Sequence, residues 1–512
     1  MSKLKVNFLS LFNVVILTVG YGFLLYKFAM LFEQLIFVIT ALVMGLIIYV
    51  NILRNFVLEM YGLAETKASE LFTYLILYVV TISIIVSPFV LEAKYVFESN
   101  SIRNVIIAFS ILLMSKYTIF MLIGPWYDVK NKLKHKIYLA NSTYQPLVSV
   151  VIPAWNEGVG IINTVKSVLD STYRHLEIIV VNDGSTDNSD QLIREFLAKY
   201  QEQAERDIAI QYVYQSNTGK GGALNRAVSL AQGDLIISID ADCFVEKGAI
   251  QGFVDIFKDP SISAAVGNVK IGNKNSTVGI VQYLEFLFSF YFKRVDAILG
   301  SIYIIGGAAG AFRREVFEQL GGYSEGNITE DIELTVRIQD AGLKIAYANE
   351  AVVYTEGASD LASLKRQRLR WKKGRFQTFY QYSHLFFSTK KRHNKILTWI
   401  VMPLAIIQDI QLSLEIPFLI FLYVFSLMNS DFSSYLTGIM VVGLMFFVQI
   451  LFYEKNTRNI SFILLAPIGW LLFYIATYVE TWALFKSIES FIFKKEVVWQ
   501  RWERKGVGVT KN

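Results

Sequence analysis

The chain has 512 residues, of which 54% are hydrophobic and only 18% are charged, with a mean hydropathy of +0.41 and a formal net charge of +6. This composition is too apolar for an ordinary soluble protein and predicts an integral membrane protein that carries a soluble part. The single cysteine, Cys243, excludes an internal disulfide and a thiolate metal cluster, and the four histidines are too scattered for a zinc site.

The first part of the chain, residues 1–128, is predicted to hold four transmembrane helices. A helix needs about 20 apolar residues to cross the hydrocarbon core of a bilayer. Four apolar runs approach or exceed that length, namely Phe8–Met30, Leu35–Ile52, Leu71–Val90 and Val105–Trp126. None has the short apolar core and small-residue cleavage site of a signal peptide, so we expect all four to be retained.

Residues 129–390 are predicted to form a cytosolic α/β domain with interfacial helices. Four short β-branched runs, at 147–153, 176–183, 210–215 and 235–242, are each followed by a helix-like stretch. Strands that alternate with helices at this spacing predict a parallel sheet wound with helices. The runs are almost continuously apolar, which is typical of strands covered on both faces.

Polar residues stand at the ends of these four runs. Ligands bind beyond the carboxyl ends of the strands in such sheets, so we expect the polar residues to share one edge and one site. They are Asn156 and Glu157, Asp183, the segment Gln215–Lys220, and Asp240 with Asp242. Each of them alone is equally well explained by turn and helix-cap chemistry.

Asp240 and Asp242 are one residue apart at the end of the run LIISIDAD. On a continuing strand their carboxylates would point to opposite faces. In a turn that leaves the strand they can converge on one cation, and hard carboxylate oxygens suit Mg²⁺ or Mn²⁺, which commonly take one or two carboxylates together with phosphate oxygens. An acidic turn without a metal explains the same pair, because D-x-D alone is a common pattern.

The segment NITEDIELTVRI at 327–338 predicts the start of an amphipathic helix. Thr329 is the expected N-cap, and Glu330 and Asp331 occupy the first turn, where the helix dipole favours negative charge. The same position suits Asp331 as a general base that takes a proton from an acceptor hydroxyl. Upstream, the small residues in IIGGAAGAFRREVF at 304–317 indicate a place where the backbone approaches a bulky ligand.

The segment LKRQRLRWKKGRF at 364–376 is strongly basic, with seven Lys or Arg in the eleven positions Lys365–Arg375. A solvated or headgroup-facing helix surface explains such a run. A phosphate site explains it as well, because Arg370 can pair with phosphate through two N–H groups. Gln367 shares a helix face with Arg370, and Trp371 next to it offers a flat face to a sugar ring. Predicted spans on both sides hold the segment at a bilayer, which favours lipid headgroups or phosphates over nucleic acid.

Residues 391–486 are predicted to add three or four transmembrane helices, and residues 487–512 to form a basic cytosolic tail. Tyr435–Tyr453 and Ile460–Phe485 are clear spans. Ile396–Met428 is interrupted by polar residues and a proline, so it is consistent with an interfacial helix plus a span or with a tight hairpin. Basic residues near both termini and after the fourth span place the termini and the central domain in the cytoplasm, which favours four spans on each side.

Together these motifs resemble those of processive, membrane-embedded family-2 glycosyltransferases, the group that includes cellulose, chitin, hyaluronan and poly-N-acetylglucosamine synthases. The shared pattern is an Asp after the second strand, then D-x-D, T-E-D and Q-x-x-R-W. It stands here as Asp183, Asp240-Ala241-Asp242, Thr329-Glu330-Asp331 and Gln367-Arg368-Leu369-Arg370-Trp371. The resemblance implies an α-helical transmembrane protein with an inserted cytosolic α/β domain of the A-type glycosyltransferase fold, which has a Rossmann-like mixed sheet.

The resemblance also implies a role for each matching residue. Asp331 would be the catalytic base, Asp242 would ligate the divalent metal, Mg²⁺ or Mn²⁺, and Glu330 and Trp371 would contact the acceptor. The residues that would bind the nucleotide sugar are Asn156, Glu157, Asp183, Lys220, Asp240, Gln367 and Arg370.

The implied reaction is displacement at the anomeric carbon of a UDP-sugar, with the β-linked polymer passing out through the spans of the same chain. Asp409, Gln411 and Glu415 fit a polar lining of that route, and an interfacial helix explains them equally well. The implied partners are the UDP-sugar donor, a growing polysaccharide or glycolipid acceptor, the lipid bilayer and an accessory subunit, but no nucleic acid. The implied location is a bacterial plasma membrane, with several spans and a cytoplasmic catalytic domain.

Two alternatives remain open at this point. One is a non-processive UDP-sugar transferase that acts on a membrane lipid acceptor. The other is a transporter or receptor whose central domain only binds a nucleotide. The motifs leave the donor sugar and the linkage unassigned.

Overall fold

A computed structural model describes residues 15, 35–63, 119–139, 143–202, 207–429, 460–493 and 506. The chain forms two compact units. The first comprises Met1–Lys136 and Pro417–Leu471, and the second comprises Ile137–Ile416 and Leu472–Asn512.

In the first unit, helix α1 (Leu35–Met60) contains the predicted span Leu35–Ile52 and continues beyond it. Helix α2 (Trp126–Leu139) begins where the fourth predicted run ends. A buried arginine joins the two helices, because Arg54 Nη1 lies 3.2 Å from Asp128 Oδ2. Apart from residue 15, the predicted spans Phe8–Met30, Leu71–Val90 and Tyr435–Tyr453 lie outside the described residues, as does most of Val105–Trp126.

The second unit is built around one mixed sheet, to which eight strands of the described residues belong, in the order β3-β2-β1-β4-β7-β6-β8-β5. The strands are β1 (Val148–Ala154), β2 (Leu176–Asp183), β3 (Ala209–Gln215), β4 (Leu235–Ser238), β5 (Phe244–Val245), β6 (Ile262–Ile271), β7 (Gly310–Arg313) and β8 (Lys344–Thr355).

Helices of the second unit alternate with these strands and continue beyond them. They are α3 (Ile161–Leu169), α4 (Ser189–Gln201), α5 (Gly219–Leu230), α6 (Ala249–Phe257), α7 (Thr277–Leu299), α8 (Arg314–Leu320), α9 (Glu330–Asp340), α10 (Leu361–Gln381), α11 (Met402–Asn429, which runs on into the first unit) and α12 (Ile460–Ile492, which begins in it).

The first four strands form the parallel half of the sheet, as the sequence predicts. β1 lies between β2 and β4 and is parallel to both, with Val150 opposite Ile178 on one side and Ile237 on the other. These three side chains are fully buried. Burial on both faces removes β1, β2 and β4 from water, which explains why their sequences are mostly apolar rather than alternating, whereas β3 stays partly exposed.

The other half of the sheet departs from a purely parallel arrangement. β7 is antiparallel to both β4 and β6, and β5 is antiparallel to β8. The expected mixed sheet is therefore confirmed.

The segment Ile396–Met428 is resolved into a single π-helical turn, Leu397–Val401, followed directly by α11, which contains Pro417. Of the described residues, one helical stretch, Leu397–Phe425, has the length and apolar composition needed to cross a membrane.

Candidate active site

The carboxyl ends of β3, β2, β1 and β4 lie side by side, because these strands are neighbours and parallel. The polar residues predicted for one edge of the sheet are thus brought to the same edge. Hydrogen bonds and ion pairs between their loops join them into one site.

Asn156 ties the loop after β1 to the loop after β2. Its backbone has a positive φ of 57°, which asparagine tolerates better than most residues. Its Oδ1 accepts hydrogen bonds from the N–H groups of Thr186, at 2.7 Å, and Asp187, at 3.1 Å. The neighbouring Glu157 N–H donates to Ser189 Oγ at 2.9 Å. Asn156 and Glu157 therefore shape the wall of the site through the contacts of this loop.

Asp183 organises the start of α5. Its buried carboxylate accepts hydrogen bonds from the N–H groups of Thr218 and Gly219, both at 2.9 Å, and from Gln215 Nε2 at 2.8 Å. Gly219 has a φ of 84°, a left-handed conformation that glycine adopts without strain. The next residue is Lys220, so Asp183 fixes the backbone from which that lysine projects.

Lys220 bridges the D-x-D and T-E-D motifs. Its Nζ lies 2.6 Å from Asp240 Oδ1 and 3.3 Å from Glu330 Oε1. Burial alone would lower the pKa of Lys220, but the charges of Asp240, Glu330 and Asp331 outweigh it, so the pKa is raised. Gly307 lies over this pair, and a Cβ there would stand 2.5 Å from Lys220 Nζ.

Asp240 and Asp242 lie in a turn, because β4 ends at Ser238. Asp242 is nearly buried, and its Oδ1 lies 3.5 Å from Thr355 Oγ1. Thr164 on α3 stabilises this turn, because its hydroxyl donates a hydrogen bond to the Ala241 carbonyl oxygen at 2.8 Å.

The donor atoms of this turn are carboxylate oxygens, which fit Mg²⁺ or Mn²⁺. The described residues contain no cluster of three or more His, Cys, Asp or Glu that could enclose a metal ion. A cation held here by Asp240 and Asp242 would therefore need further oxygen ligands from a bound substrate, which is the usual arrangement for Mg²⁺ at a diphosphate.

Asp331 occupies the first turn of α9. Its Oδ2 accepts a hydrogen bond from the N–H of Gly307 at 3.0 Å, and its Oδ1 accepts one from Ile332 N at 2.8 Å. Burial first, and then the neighbouring charge of Glu330, raise the pKa of Asp331 to about 6, although Lys220 and Arg370 act in the opposite direction. A carboxylate with this pKa is suited to accept a proton at neutral pH.

The prediction that Thr329 is the N-cap residue of α9 is confirmed in position. Thr329 stands at the N-cap position, but its side chain makes no capping hydrogen bond. Instead its N–H and hydroxyl both approach Asn327 Oδ1, at 3.0 and 3.3 Å. The hydroxyl lies against α10.

Helix α10 presents Gln367, Arg370 and Gly374 on one face, in keeping with their spacing. A Cβ at Gly374 would collide with Thr329 Oγ1, so this face lies directly on the T-E-D turn. Gln367 is buried, and neither its Oε1 nor Arg370 Nε has a hydrogen-bond partner within the described structure. An unpaired acceptor and an unpaired donor beside Asp331 suit a ligand that carries both hydroxyl and anionic oxygen groups.

Trp371 lies next to this face rather than on it. Its ring lies 4.4 Å from Arg368 Cζ and 6.5 Å from the ring of Phe286. The tryptophan is thus oriented by a cation–π contact and by packing on α7.

The interpretation of the whole basic run as a solvated or headgroup-facing surface is wrong for Arg368, Lys372 and Arg375. These three side chains turn inward and form ion pairs with Glu285, Asp409 and Glu480. Asp409, which the sequence analysis considered as part of a polar lining, forms ion pairs with Lys372 and Arg375. The spacing 368, 372 and 375 was a usable sign of a shared helix face, but nothing local indicated Glu285 or Glu480 as partners.

Sequence reasoning also missed Lys293. Its Nζ donates to the carbonyl oxygen of Ile304 at 2.7 Å, and Ile305 N–H donates to Thr335 Oγ1 at 3.0 Å. These bonds anchor the small-residue segment whose Gly307 N–H contacts Asp331. The small residues signalled close packing there, but not the lysine 11 positions upstream of Ile304 that holds it.

Residues 149–321 match the family described as Glycosyl transferase family 2. The chain carries a family 2 glycosyltransferase domain. The mixed sheet is accordingly that of the A-type glycosyltransferase fold, and the protein is an enzyme that transfers a hexosyl group.

Relatives of this glycosyltransferase include two staphylococcal proteins named poly-beta-1,6-N-acetyl-D-glucosamine synthase. The one from Staphylococcus epidermidis is 26% identical over 363 residues, which span 68% of this chain and 86% of that protein. The one from Staphylococcus aureus (strain COL) is 31% identical over 246 residues, which span 48% of this chain and 57% of that protein.

A solved structure found by similarity is that of a mannosyltransferase from Pyrobaculum calidifontis in complex with GDP-Man and Mn²⁺. It is 19% identical in sequence with a TM-score of 0.47, and the match covers 76% of this chain and 100% of that one.

Proposed function

We propose that this glycosyltransferase polymerises a sugar from a UDP-sugar into a β-linked polysaccharide of the poly-N-acetylglucosamine or cellulose type and passes the product across a membrane. The observation that carries the proposal is Asp331, a carboxylate with a pKa raised to about 6 that is held in place by the Gly307 N–H. The names of the staphylococcal relatives support a polysaccharide product.

In the proposed reaction Asp331 takes the proton from an acceptor hydroxyl as the hydroxyl oxygen attacks the anomeric carbon. The bond between that carbon and the diphosphate breaks on the opposite side, so an α-linked donor gives a β-linked product. Arg370, whose Nε has no partner among the described residues, stabilises the departing diphosphate through charge-assisted hydrogen bonds. Gln367 Oε1 is an acceptor, so it suits a hydroxyl of the bound sugar better than a phosphate oxygen.

The remaining residues bind and orient the two substrates. Asp183, Asn156 and Glu157 shape the wall against which the nucleotide lies, and Lys220 and Asp240 face the sugar and phosphates. Glu330 and Trp371 face the acceptor. A divalent ion held by Asp242 and Asp240 would neutralise charge on the diphosphate.

We further propose that residues 129–390 are the cytosolic catalytic part and that residues 1–128 and 391–486 contribute the membrane helices, followed by a basic tail at 487–512. The apolar helix Leu397–Phe425 supports the second membrane region. Under this arrangement the acceptor end of the polymer stays at the cytoplasmic face while the product leaves through the bilayer.

The test uses the full-length protein in proteoliposomes, supplied separately with UDP-N-acetylglucosamine and UDP-glucose. Released UDP reports transfer, and the product is sized and digested with linkage-specific hydrolases. Asp331→Asn is expected to lower UDP release by 100-fold or more, on the order seen when a general base is lost. Glu318→Gln, at an exposed acidic position on α8, is the matched control and should retain full activity.

Two results would refute the proposal. If Asp331→Asn transferred sugar at the parent rate, Asp331 could not be the general base. If the only products were lipids carrying one or two sugars, the enzyme would be a non-processive lipid glycosyltransferase and not a polymerase.

A further inference from the structure

Six charged side chains of the second unit form a continuous line of alternating sign, here called the ionic chain. It runs in the order Glu285, Arg368, Glu480, Lys372, Asp409, Arg375. Successive N···O distances are 2.7 Å, 3.5 Å, 2.9 Å and 2.5 Å, and Asp409 also pairs with Arg375. Three of the members belong to α10, and the others come from α7, α11 and α12.

The ionic chain is largely removed from water. The side chains of Arg368, Lys372 and Asp409 are only 6%, 7% and 8% exposed. Taking charges out of water is costly, and well-packed apolar residues in the place of a buried ion pair often give equal or greater stability. Three cations and three anions balance formally, so the ionic chain contributes a defined geometry rather than net charge.

A different side of α10 lies on the T-E-D turn Thr329–Asp331, here called the catalytic turn. Gly374 packs against Thr329, and Asn327 Nδ2 donates a hydrogen bond to Thr378 Oγ1 at 3.0 Å. Arg370, on the same side, is close enough to Asp331 to lower its pKa. Any slip or rotation of α10 would therefore change the distance between Arg370 and Asp331.

The ionic chain is also linked to the segment that precedes Gly307. Arg375, its last member, lowers the pKa of Tyr303 by charge and hydrogen bonding, although burial dominates and raises it. Tyr303 immediately precedes Ile304, the residue whose carbonyl oxygen Lys293 holds. The two sides of the Asp331 pocket, α10 and the small-residue segment, thus meet at one end of the ionic chain.

We propose that Asp409 and Glu480 are positioning residues for sugar transfer, acting through the ionic chain to fix α10 at the catalytic turn. The proposal rests on the proposed function only for its activity readouts. Neither carboxylate needs to touch a substrate. Their effect reaches the reaction through the position of Arg370.

The titratable groups that interact with Asp331 include Glu330 from the same helix, Lys220 from α5, Arg370 from α10, Lys293 from α7 and the Tyr323 hydroxyl. Asp409 is not among the main causes of the raised pKa of Asp331, and its own ion pairs are with Lys372 and Arg375. A change in that pKa on substitution of Asp409 would therefore report movement of α10.

The first experiment measures UDP release by the purified full-length enzyme in Asp409→Asn, Asp409→Glu and Glu489→Gln. The last is the matched control, because Glu489 lies on α12 like Glu480 but pairs with Lys486 in an exposed position, at 2.6 Å. Asp409→Asn is expected to lower kcat by about 10- to 100-fold, the loss typical of small misplacements. The acid limb of its kcat/KM profile should move to higher pH, because Arg370 no longer lowers the pKa of Asp331.

Asp409→Glu keeps the charge and should recover most of the activity, whereas Glu489→Gln should match the parent. If Asp409→Asn had the kcat of the parent and the same acid limb in its kcat/KM profile, the proposal would be overturned. An equal loss in Glu489→Gln would overturn it too, because general weakening of α12 would then explain the effect.

The second experiment is independent of catalysis. Asn327→Cys and Thr378→Cys are introduced together in a Cys243→Ala background, and the rate of disulfide formation measures how closely α10 docks on the catalytic turn. We expect rapid cross-linking in the parent and at least several-fold slower cross-linking with Asp409→Asn. Unchanged cross-linking would refute the positioning role even if no donor sugar proves active, so failure of the proposed function is distinguishable.

Should Asp409→Asn fail to fold, Glu285→Gln provides the milder perturbation. It removes the end of the ionic chain while Arg368 keeps Glu480 as a partner. A smaller change in the same direction in cross-linking and in the acid limb is expected. Parent values in both would overturn the proposal.

Discussion

Asp331→Asn is expected to lower sugar transfer by about 100-fold or more and, at the same time, to stabilise the folded protein at neutral pH. The pKa of Asp331 rises from 3.8 to about 6 on folding, chiefly because of burial and then because of Glu330. Keeping the carboxylate ionised at neutral pH therefore costs the folded state about 3 kcal/mol, since each pKa unit corresponds to about 1.4 kcal/mol. Asparagine is nearly isosteric with the protonated acid and avoids this cost.

The sign of the pH dependence follows from linkage. Below about pH 4 Asp331 is protonated in both folded and unfolded states, so the parent and Asp331→Asn should be equally stable. As the pH rises from about 4 to 6 the unfolded carboxyl ionises while the folded one still holds its proton, and the parent loses stability relative to the variant. Above about pH 6 the advantage of Asp331→Asn reaches its full value and stays constant.

The assay is thermal unfolding in detergent micelles, comparing midpoints of the two proteins across this range together with UDP release. Asp360→Asn is a useful contrast, because Asp360 accepts the Ser363 N–H at the start of α10 and its pKa is lowered by that bond and by the Ser363 hydroxyl. It should show no stabilisation at neutral pH. Equal unfolding midpoints of the parent and Asp331→Asn at pH 7, or a difference that does not shrink on acidification, would refute the reasoning that burial raises the pKa of Asp331.

Four further predictions concern the reaction itself. The kcat/KM profile should fall below about pH 6, as Asp331 becomes protonated; a profile that is flat down to pH 5 would exclude Asp331 as the base. Treatment with EDTA should stop UDP release and Mn²⁺ or Mg²⁺ should restore it, whereas full activity in chelator would remove Asp242 from the site. Gly374→Ala should lower kcat by about tenfold or more, because the added methyl collides with Thr329 and displaces α10; an unchanged kcat would show that the contact is not needed. Trp371→Ala should shorten the product while leaving UDP affinity, measured by calorimetry, almost unchanged, and a large loss of UDP affinity would contradict its role at the acceptor.

The half of the sheet that carries Asp183 and the D-x-D turn could be predicted from sequence because its signals are local. The runs that became β1, β2 and β4 are nearly continuously apolar, and the residues that follow them, such as Asp183 and Asp240, meet because parallel neighbours share an edge. The strand predicted at 235–242 is longer than the observed strand, because β4 ends at Ser238 and the two aspartates lie in the turn that follows.

What the sequence could not supply were the long-range pairings. β7 inserts in antiparallel fashion between β4 and β6, a choice made by packing rather than by any feature of GAFR itself. The partners of the basic helix lie equally far away, since Glu285 precedes Arg368 by 83 positions in the chain. An excess of lysine and arginine is therefore a poor guide to exposure, because a buried carboxylate elsewhere can turn those same residues inward.

The charged groups around Lys220 determine in which form a diphosphate can bind in the pocket. Four carboxylates, those of Asp240, Asp242, Glu330 and Asp331, outnumber the three cations near them, Lys220, Lys293 and Arg370, so the formal charge of the site is negative. A bare diphosphate would meet repulsion from such a surface, whereas its complex with one divalent ion carries little net charge. We therefore expect donor and cation to bind as one species, with nucleotide affinity in the absence of divalent ions too weak to saturate and with the ion itself retained only while a nucleotide is bound.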